Sequence, residues 1–347
     1  MIRFLVAIVL LALAAACGGS SGYEQPSGDT ATPPATEEPA RPTNAPAPAA
    51  TAAPTAVAIE TLPIVDMHFH PDAGWDVDSL LALMDELGVK LAVGGSGGTG
   101  SEALEFWRAH PDRFIPFAGQ DAVRTIYVAE GTAASEFRST RIVSHVTRLG
   151  EQLDARCWAG IGELFVNTIA SHRTGAMRMP ADSALMRRLW EMSATYQVAL
   201  HVHMDADPAS VAEMRRLLAS NPNATWIWAH AGWYATPSLL RELLQAHQNL
   251  YLELSFRDEL RSFFAVSEGG RLREEWRALF EEQPERFLLG TDLLPPPTAA
   301  KYRDLIGFWR GVLLQLTPVT AAKLAHENAE SLLSQSRAVD VSRCTAE

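Results

Sequence analysis

Two histidines separated by one residue, His68 and His70, close the apolar run Ile64-Val65-Asp66-Met67-His68-Phe69-His70. Side chains of an extended strand alternate between faces, so both imidazoles point to the same side and can grip one ion. Four later stretches carry a signal of the same kind: Gly162-Glu163-Leu164, His201-Val202-His203, Trp228-Ala229-His230-Ala231-Gly232 and Gly290-Thr291-Asp292. Each ends a short apolar run that reads as a buried strand. The chain has ten histidines, and His68, His70, His201, His203 and His230 all fall at these ends. Imidazoles and carboxylates gathered this way form a divalent-metal site, and the mixture of nitrogen and oxygen donors suits zinc.

Such residues meet only if the strands that carry them converge. The sequence predicts eight strands, at 64–68, 90–94, 114–119, 159–164, 198–203, 225–229, 249–255 and 287–290. Amphipathic segments lie between most of them, including 78–87, 184–195, 209–219, 237–246 and 274–282. Strands alternating with helices over this length predict an α/β fold, a TIM (β/α)8 barrel whose C-terminal mouth holds the metal. A doubly wound open sheet is the alternative. It explains less well why reactive residues recur at the ends of the first, fifth, sixth and eighth strands. His110-Pro111-Asp112-Arg113-Phe114 and Gln283-Pro284-Glu285-Arg286-Phe287 read as matching punctuation, each Pro ending a helix and each Phe opening a strand. Residues 320–333 read as helical, with Asn328 expected to cap a second helix.

The formal net charge of -12 argues against a nucleic-acid partner, which needs a basic surface. The run Gly94-Gly95-Ser96-Gly97-Gly98-Thr99-Gly100 lacks the Lys-Ser/Thr of a nucleotide loop and reads as a loop after a strand. At the N-terminus, Arg3, an apolar stretch at 4–13 and Ala14-Ala15-Ala16-Cys17 predict a lipoprotein signal peptide over 1–16, with Cys17 the lipidation site. An ordinary signal peptide cut after Ala16 is the alternative. Residues 17–60, rich in Pro, Ala and Thr, are expected to form a disordered tether. The barrel is expected over 61–335 and a polar tail over 336–347. The protein is thus expected outside the cytoplasm, on a periplasmic or cell-surface face, held to a membrane by its lipid. Cys157 and Cys344 could pair in such a compartment, and the sequence leaves that open.

Residues 62–333 resemble the amidohydrolase superfamily, in its branch of amidohydrolase-related hydrolases and aminocarboxymuconate-semialdehyde-type decarboxylases. The resemblance is carried by Asp66-x-His68-x-His70, Ala229-His230-Ala231-Gly232, Gly290-Thr291-Asp292 and Glu327-Asn328-Ala329. It implies a TIM barrel with a divalent metal at its mouth. It implies metal ligands at His68, His70, His203 and Asp292, with Asp292 also a proton acceptor and His230 an acid or electrophile. His203 takes the strand-five position because it lies four residues past Ala199, where relatives have a small residue or proline; His201 and Asp66 then stand behind the ligands. Many relatives place a lysine on strand four, where this chain has Glu163, which could bind a second metal or hydrogen-bond a ligand. One ion is the expected count and two the alternative.

Trp75, Trp233, Tyr234 and Arg257 each follow a strand and are candidates to line the substrate pocket. The implied activity is hydrolysis of an amide, lactone or ester of a small molecule by a metal-activated water. Non-oxidative decarboxylation on the same ligands is the alternative, and a ligand-binding lipoprotein without catalysis is the third reading.

Overall fold

The computed structural model describes residues 59–72, 74–94, 101–118, 120–168, 177–293, 297–335 and 344. The chain divides into Met1–Thr51 and Ala52–Glu347, and every described residue lies in the second unit. The expected signal peptide, Cys17, most of the tether, the Gly95–Gly100 loop and all of the tail but Cys344 fall outside the described residues. Among the described residues no helix is long and apolar enough to cross a membrane.

Eight parallel strands form one sheet in sequence order. They are β1 (Ile64–Asp66), β2 (Val89–Gly94), β3 (Phe114–Ala118), β4 (Gly160–Asn167), β5 (Ala199–Met204), β6 (Thr225–Trp228), β7 (Leu250–Glu253) and β8 (Phe287–Leu288). Closure occurs just past the last strand. There Met67 N donates to Leu289 O at 2.8 Å and Asp292 N to His68 O at 2.7 Å. This is the expected TIM barrel, and the seam it closes is the one that carries His68 and Asp292.

Helices fill the crossovers, and their starts are written locally. Asp76, Ser139, Ser183, Asp207 and Thr236 each accept a backbone N–H of the helix they precede. Pro208 and Pro237 stand in first turns, where no intrahelical N–H is needed. Val65, Met67, Val93, Phe117, Ile227 and Leu288 pack as one cluster, joined by Ala329 and Leu332 of the C-terminal helix Asn328–Gln335. A larger cluster, with Trp190, Trp226, Trp228 and Trp309 buried, includes the helix faces.

One expectation changes here, and one pairing that the sequence left open is formed. Asn328 does not cap a new helix: the π-helical turn Lys323–Glu327 runs straight into Asn328–Gln335, with Asn328 at helical φ -64 and ψ -44. Its side-chain amide instead donates to Pro284 O and Phe287 O, tying this helix to β8. Cys344 is buried and bonded to Cys157, with Cα atoms 5.2 Å apart.

His145, in the helix Thr140–Asp154, is buried with neither ring nitrogen hydrogen-bonded. Burial, reinforced by Arg148, pushes it from 6.5 down to about 4. The folded state therefore keeps it neutral while the unfolded chain takes up a proton. Its stabilising contribution is complete above pH 6.5 and is lost as pH falls toward 4, by about 2–3 kcal/mol. Urea unfolding at pH 7 and pH 4.5 should show His145→Leu losing that much less stability on acidification than the parent.

Candidate metal centre

The strand ends bring His68, His70, Glu163, His203, His230 and Asp292 together, and all but the slightly exposed His70 are buried. Their donor atoms gather around one carboxylate, a set on each of its oxygens, and His230 and Asp292 also approach each other across the sets, Nε2 to Oδ2 at 3.9 Å. In the first, His68 Nε2 lies 3.2 Å from His70 Nε2, 3.3 Å from Glu163 Oε2 and 3.8 Å from Asp292 Oδ1. His70 Nε2 is 3.0 Å from the same Asp292 oxygen and 3.8 Å from Glu163 Oε2. In the second, the other glutamate oxygen, Glu163 Oε1, is 3.1 Å from His203 Nδ1 and 3.3 Å from His230 Nε2. Those two nitrogens are 3.0 Å apart. Four donors in a tetrahedron about an ion at ~2.0–2.1 Å stand about 3.4 Å from one another. The donor pairs given for each set lie 3.0–3.8 Å apart, close to that spacing, and the donors are imidazole nitrogens and carboxylate oxygens, so the residues fit divalent metal.

The expected ligands are therefore all present but grouped differently. His203 does not stand with His68 and His70; it shares Glu163 with His230. His230 Nε2 lies among the donors, 3.3 Å from Glu163 Oε1.

A residue not singled out from sequence explains why. Glu253, at the end of β7, accepts from His68 Nδ1 at 2.8 Å, from Ser255 Oγ at 2.8 Å, from Ser255 N at 2.5 Å and from His230 N at 3.2 Å. A carboxylate only accepts, so the Nδ1 of His68 carries a proton and Nε2 is the ring atom turned to the site. Ser255 spends its one hydroxyl proton on Glu253 and accepts from His230 Nδ1 at 2.8 Å, which leaves the Nε2 of His230 as a lone pair. One buried carboxylate places the Nδ1 proton of a histidine in each set.

Close approach is what permits this. A Cβ at Gly290 would lie 2.2 Å from Glu253 Oε1 and 2.7 Å from the Cβ of His68. A Cβ at Gly232 would lie 2.4 Å from the Trp228 ring, and Gly232 has φ +73.

The electrostatics follow from packing. Burial alone would lower His68, but Asp292, Glu163 and Glu253 outweigh it and hold it well above its ordinary value. Burial would raise Glu163, Glu253 and Asp292; the field of His68, with hydrogen bonds from the histidines, holds all three low. Burial keeps His201 and His230 below the usual histidine range. His201 lies behind the first set, its ring 4.5 Å from that of His68 and its Nε2 3.8 Å from Glu253.

Asp66 holds the site from its backbone side. It accepts from Thr291 N, Thr291 Oγ1, Tyr302 OH and the N–H of His68, at 2.7–3.2 Å. Desolvation raises it to about 6.

Of the candidate pocket residues, Trp233 reaches the site, its ring 5.6 Å from His230 and 4.9 Å from Phe256. Trp75 packs on Phe69 and Tyr302. Tyr234 faces Phe264. Arg257 is not a substrate contact: its side chain is buried and donates to the backbone oxygens of His230, Ala231, Ala235 and Phe264. The turn after β7, with Phe256 at φ 56, is where the chain bends before Arg257.

Because Glu253 orients donors in both sets, Glu253→Gln should weaken metal affinity by about 10–100-fold while leaving the fold intact. Chelator competition checks the affinity and circular dichroism the fold.

Residues 65–334 match the Amidohydro_2 family, described as amidohydrolase. No curated protein matches the sequence. Among solved structures, an uncharacterised TIM-barrel protein from Bordetella bronchiseptica is similar at TM-score 0.52 and 15% identity, over 79% of this chain and 99% of that one. A probable 2-pyrone-4,6-dicarboxylic acid hydrolase from Acinetobacter baumannii, solved with citric acid bound, is similar at TM-score 0.52 and 14% identity, over 79% of this chain and all of that one. At such identities the structures speak for the fold. The family match spans most of the chain and contains every donor of both sets, so the chain belongs to the amidohydrolase family of enzymes.

Proposed function

We propose that this chain is an exported hydrolase that holds two divalent ions, zinc by preference, and cleaves a C–N or C–O bond of a small amide, lactone or ester. One observation carries the reading: the two oxygens of Glu163 each complete a separate set of donors. His68, His70 and Glu163 Oε2, with Asp292 beside His70, would hold one ion, and His203, His230 and Glu163 Oε1 the other. This reading takes the two-ion alternative over the single ion expected from sequence.

Bound there, the ions would supply Lewis acidity and lower the pKa of a water to about 7. The rest falls to the chain. Asp292 stands among the donors, its Oδ1 3.0 Å from His70 Nε2, where its carboxylate can take the proton from the attacking water and return it to the leaving group. Glu253, through Ser255, keeps the Nδ1 proton on His230. The tilted rings of Trp233 and Phe256, 4.9 Å apart, meet the His230 ring edge to face and would give the site an apolar wall that sheds water.

The lipobox-like Ala14-Ala15-Ala16-Cys17 supports export and anchoring through Cys17, and the Cys157–Cys344 bond is in keeping with an oxidising compartment.

Metal analysis by plasma mass spectrometry of the Ala52–Glu347 unit tests the core of this reading. Two equivalents are expected, with the His68→Ala variant unable to keep both. A screen of esters, lactones and amides then follows. Carbon dioxide release from aromatic carboxylates in place of hydrolysis would assign the decarboxylase chemistry instead. A metal-loaded protein that binds a ligand but turns nothing over would mark a binding protein.

A further inference from the structure

We infer that Arg257 is a positioning residue whose guanidinium locks the turn after β6 so that His230 presents Nε2 to Glu163. Four consecutive residues, His230, Ala231, Gly232 and Trp233, have φ of 57, 45, 73 and 62. This is the left-handed region, comfortable for the glycine and disfavoured for the other three. A run of that kind persists only when its surroundings over-determine it.

Arg257 supplies the determination. Its Nε donates to His230 O at 2.9 Å, and its Nη2 donates to Ala231 O at 2.7 Å and Ala235 O at 3.1 Å. Its Nη1 donates to Phe264 O at 3.0 Å, which ties the turn after β6 to the segment after β7. The guanidinium lies 5.1 Å from the centre of the Trp276 ring. The side chain is buried, and the partners it is given are backbone oxygens and an aromatic face, with no carboxylate among them. Desolvation pushes it down to about 9, still charged at neutral pH.

A buried cation paired with no anion is costly. A planar fork that reaches three carbonyls of one turn is what an arginine offers and a point charge does not. The side chain cannot act on a substrate, because it is enclosed behind the turn it holds. Its effect reaches the site through His230. The carbonyl of His230 is fixed by Arg257, its N–H by Glu253 and its Nδ1 by Ser255, so the ring has one direction left.

The inference concerns the same site as the proposed function, and its test separates the two. The Ala52–Glu347 unit, labelled with nitrogen-15 histidine, is compared as parent, Arg257→Met and Arg257→Lys. Ring signals are recorded without metal, and cobalt(II) is then titrated. Arg257→Met should keep the helical signal and lose the His230 Nδ1–H signature. It should bind the equivalent held by His203 and His230 about tenfold more weakly, and the equivalent held by His68, His70 and Asp292 as the parent does. Arg257→Lys should fall between, and it decides the matter if the methionine variant does not fold. Unchanged His230 signals overturn the inference. So does a loss spread equally over both equivalents with lysine no better than methionine, which is what a general loss of stability gives. A parent that takes up one equivalent defeats the two-ion reading, and the metal-free His230 signals still decide the role of Arg257.

Discussion

Asp292→Asn should leave a folded, metal-loaded protein whose kcat is lower by about 10²–10⁴, with KM little changed. The substitution keeps the shape of the side chain and an oxygen that can stand where Oδ1 stands, 3.0 Å from His70 Nε2 and 3.8 Å from His68 Nε2. Its backbone role also survives. Asp292 N donates to His68 O across the seam of the barrel, and Arg261 Nη1 donates to Asp292 O at 2.9 Å. What is lost is the negative charge that accepts a proton. Steady-state kinetics on a substrate from the hydrolase screen, with metal content measured on the same preparation, checks this. A variant that binds its metal and turns over at the parental rate would remove Asp292 from proton transfer and return it to a ligand alone.

The barrel was legible because its strands are short apolar runs alternating with amphipathic segments, several of them closed by a reactive residue. Expected at 198–203, β5 spans Ala199–Met204; expected at 225–229, β6 spans Thr225–Trp228. The donors were legible for the same reason, since a histidine at the end of an apolar run stands out. Their grouping was not. Spacing along the chain says that His203 faces inward, but whether it meets His68 or His230 depends on how the strand ends lean across the mouth. Glu253 was missed because one glutamate ending Leu250-Tyr251-Leu252 has no spacing signature. Its partner His68 is 185 residues away, and the glycine that lets them meet is on a third strand end. Arg257, a pocket candidate from its place after β7, lies buried behind the turn after β6, because its direction is set by the left-handed bend at Phe256 and by the carbonyls of a distant turn. The Cys157–Cys344 bond, 187 residues apart in sequence, is likewise a fact of the folded chain alone.

Glu163→Ala should have the largest effect on metal content. In a site where each donor serves one ion, deleting a ligand weakens one ion. Glu163 contributes an oxygen to each set, at 3.3 Å from His68 Nε2 on one side and at 3.1 and 3.3 Å from His203 and His230 on the other. Its removal leaves two histidines and Asp292 for one ion, and His203 and His230 for the other, with no anion shared between them. Two dications side by side repel, and in a buried site this repulsion is poorly screened. The second ion should therefore be lost and the first weakened, with metal content falling from two equivalents to one or fewer. Glu163→Gln, which keeps the volume and an oxygen on one side, should lose the second ion while holding the first more firmly than alanine does. Plasma mass spectrometry of parent and both variants, dialysed against the same metal buffer, reads this directly. If parent and Glu163→Ala both hold one equivalent, Glu163 serves as a hydrogen-bond acceptor for His203 and His230, and the single-ion count expected from the sequence stands.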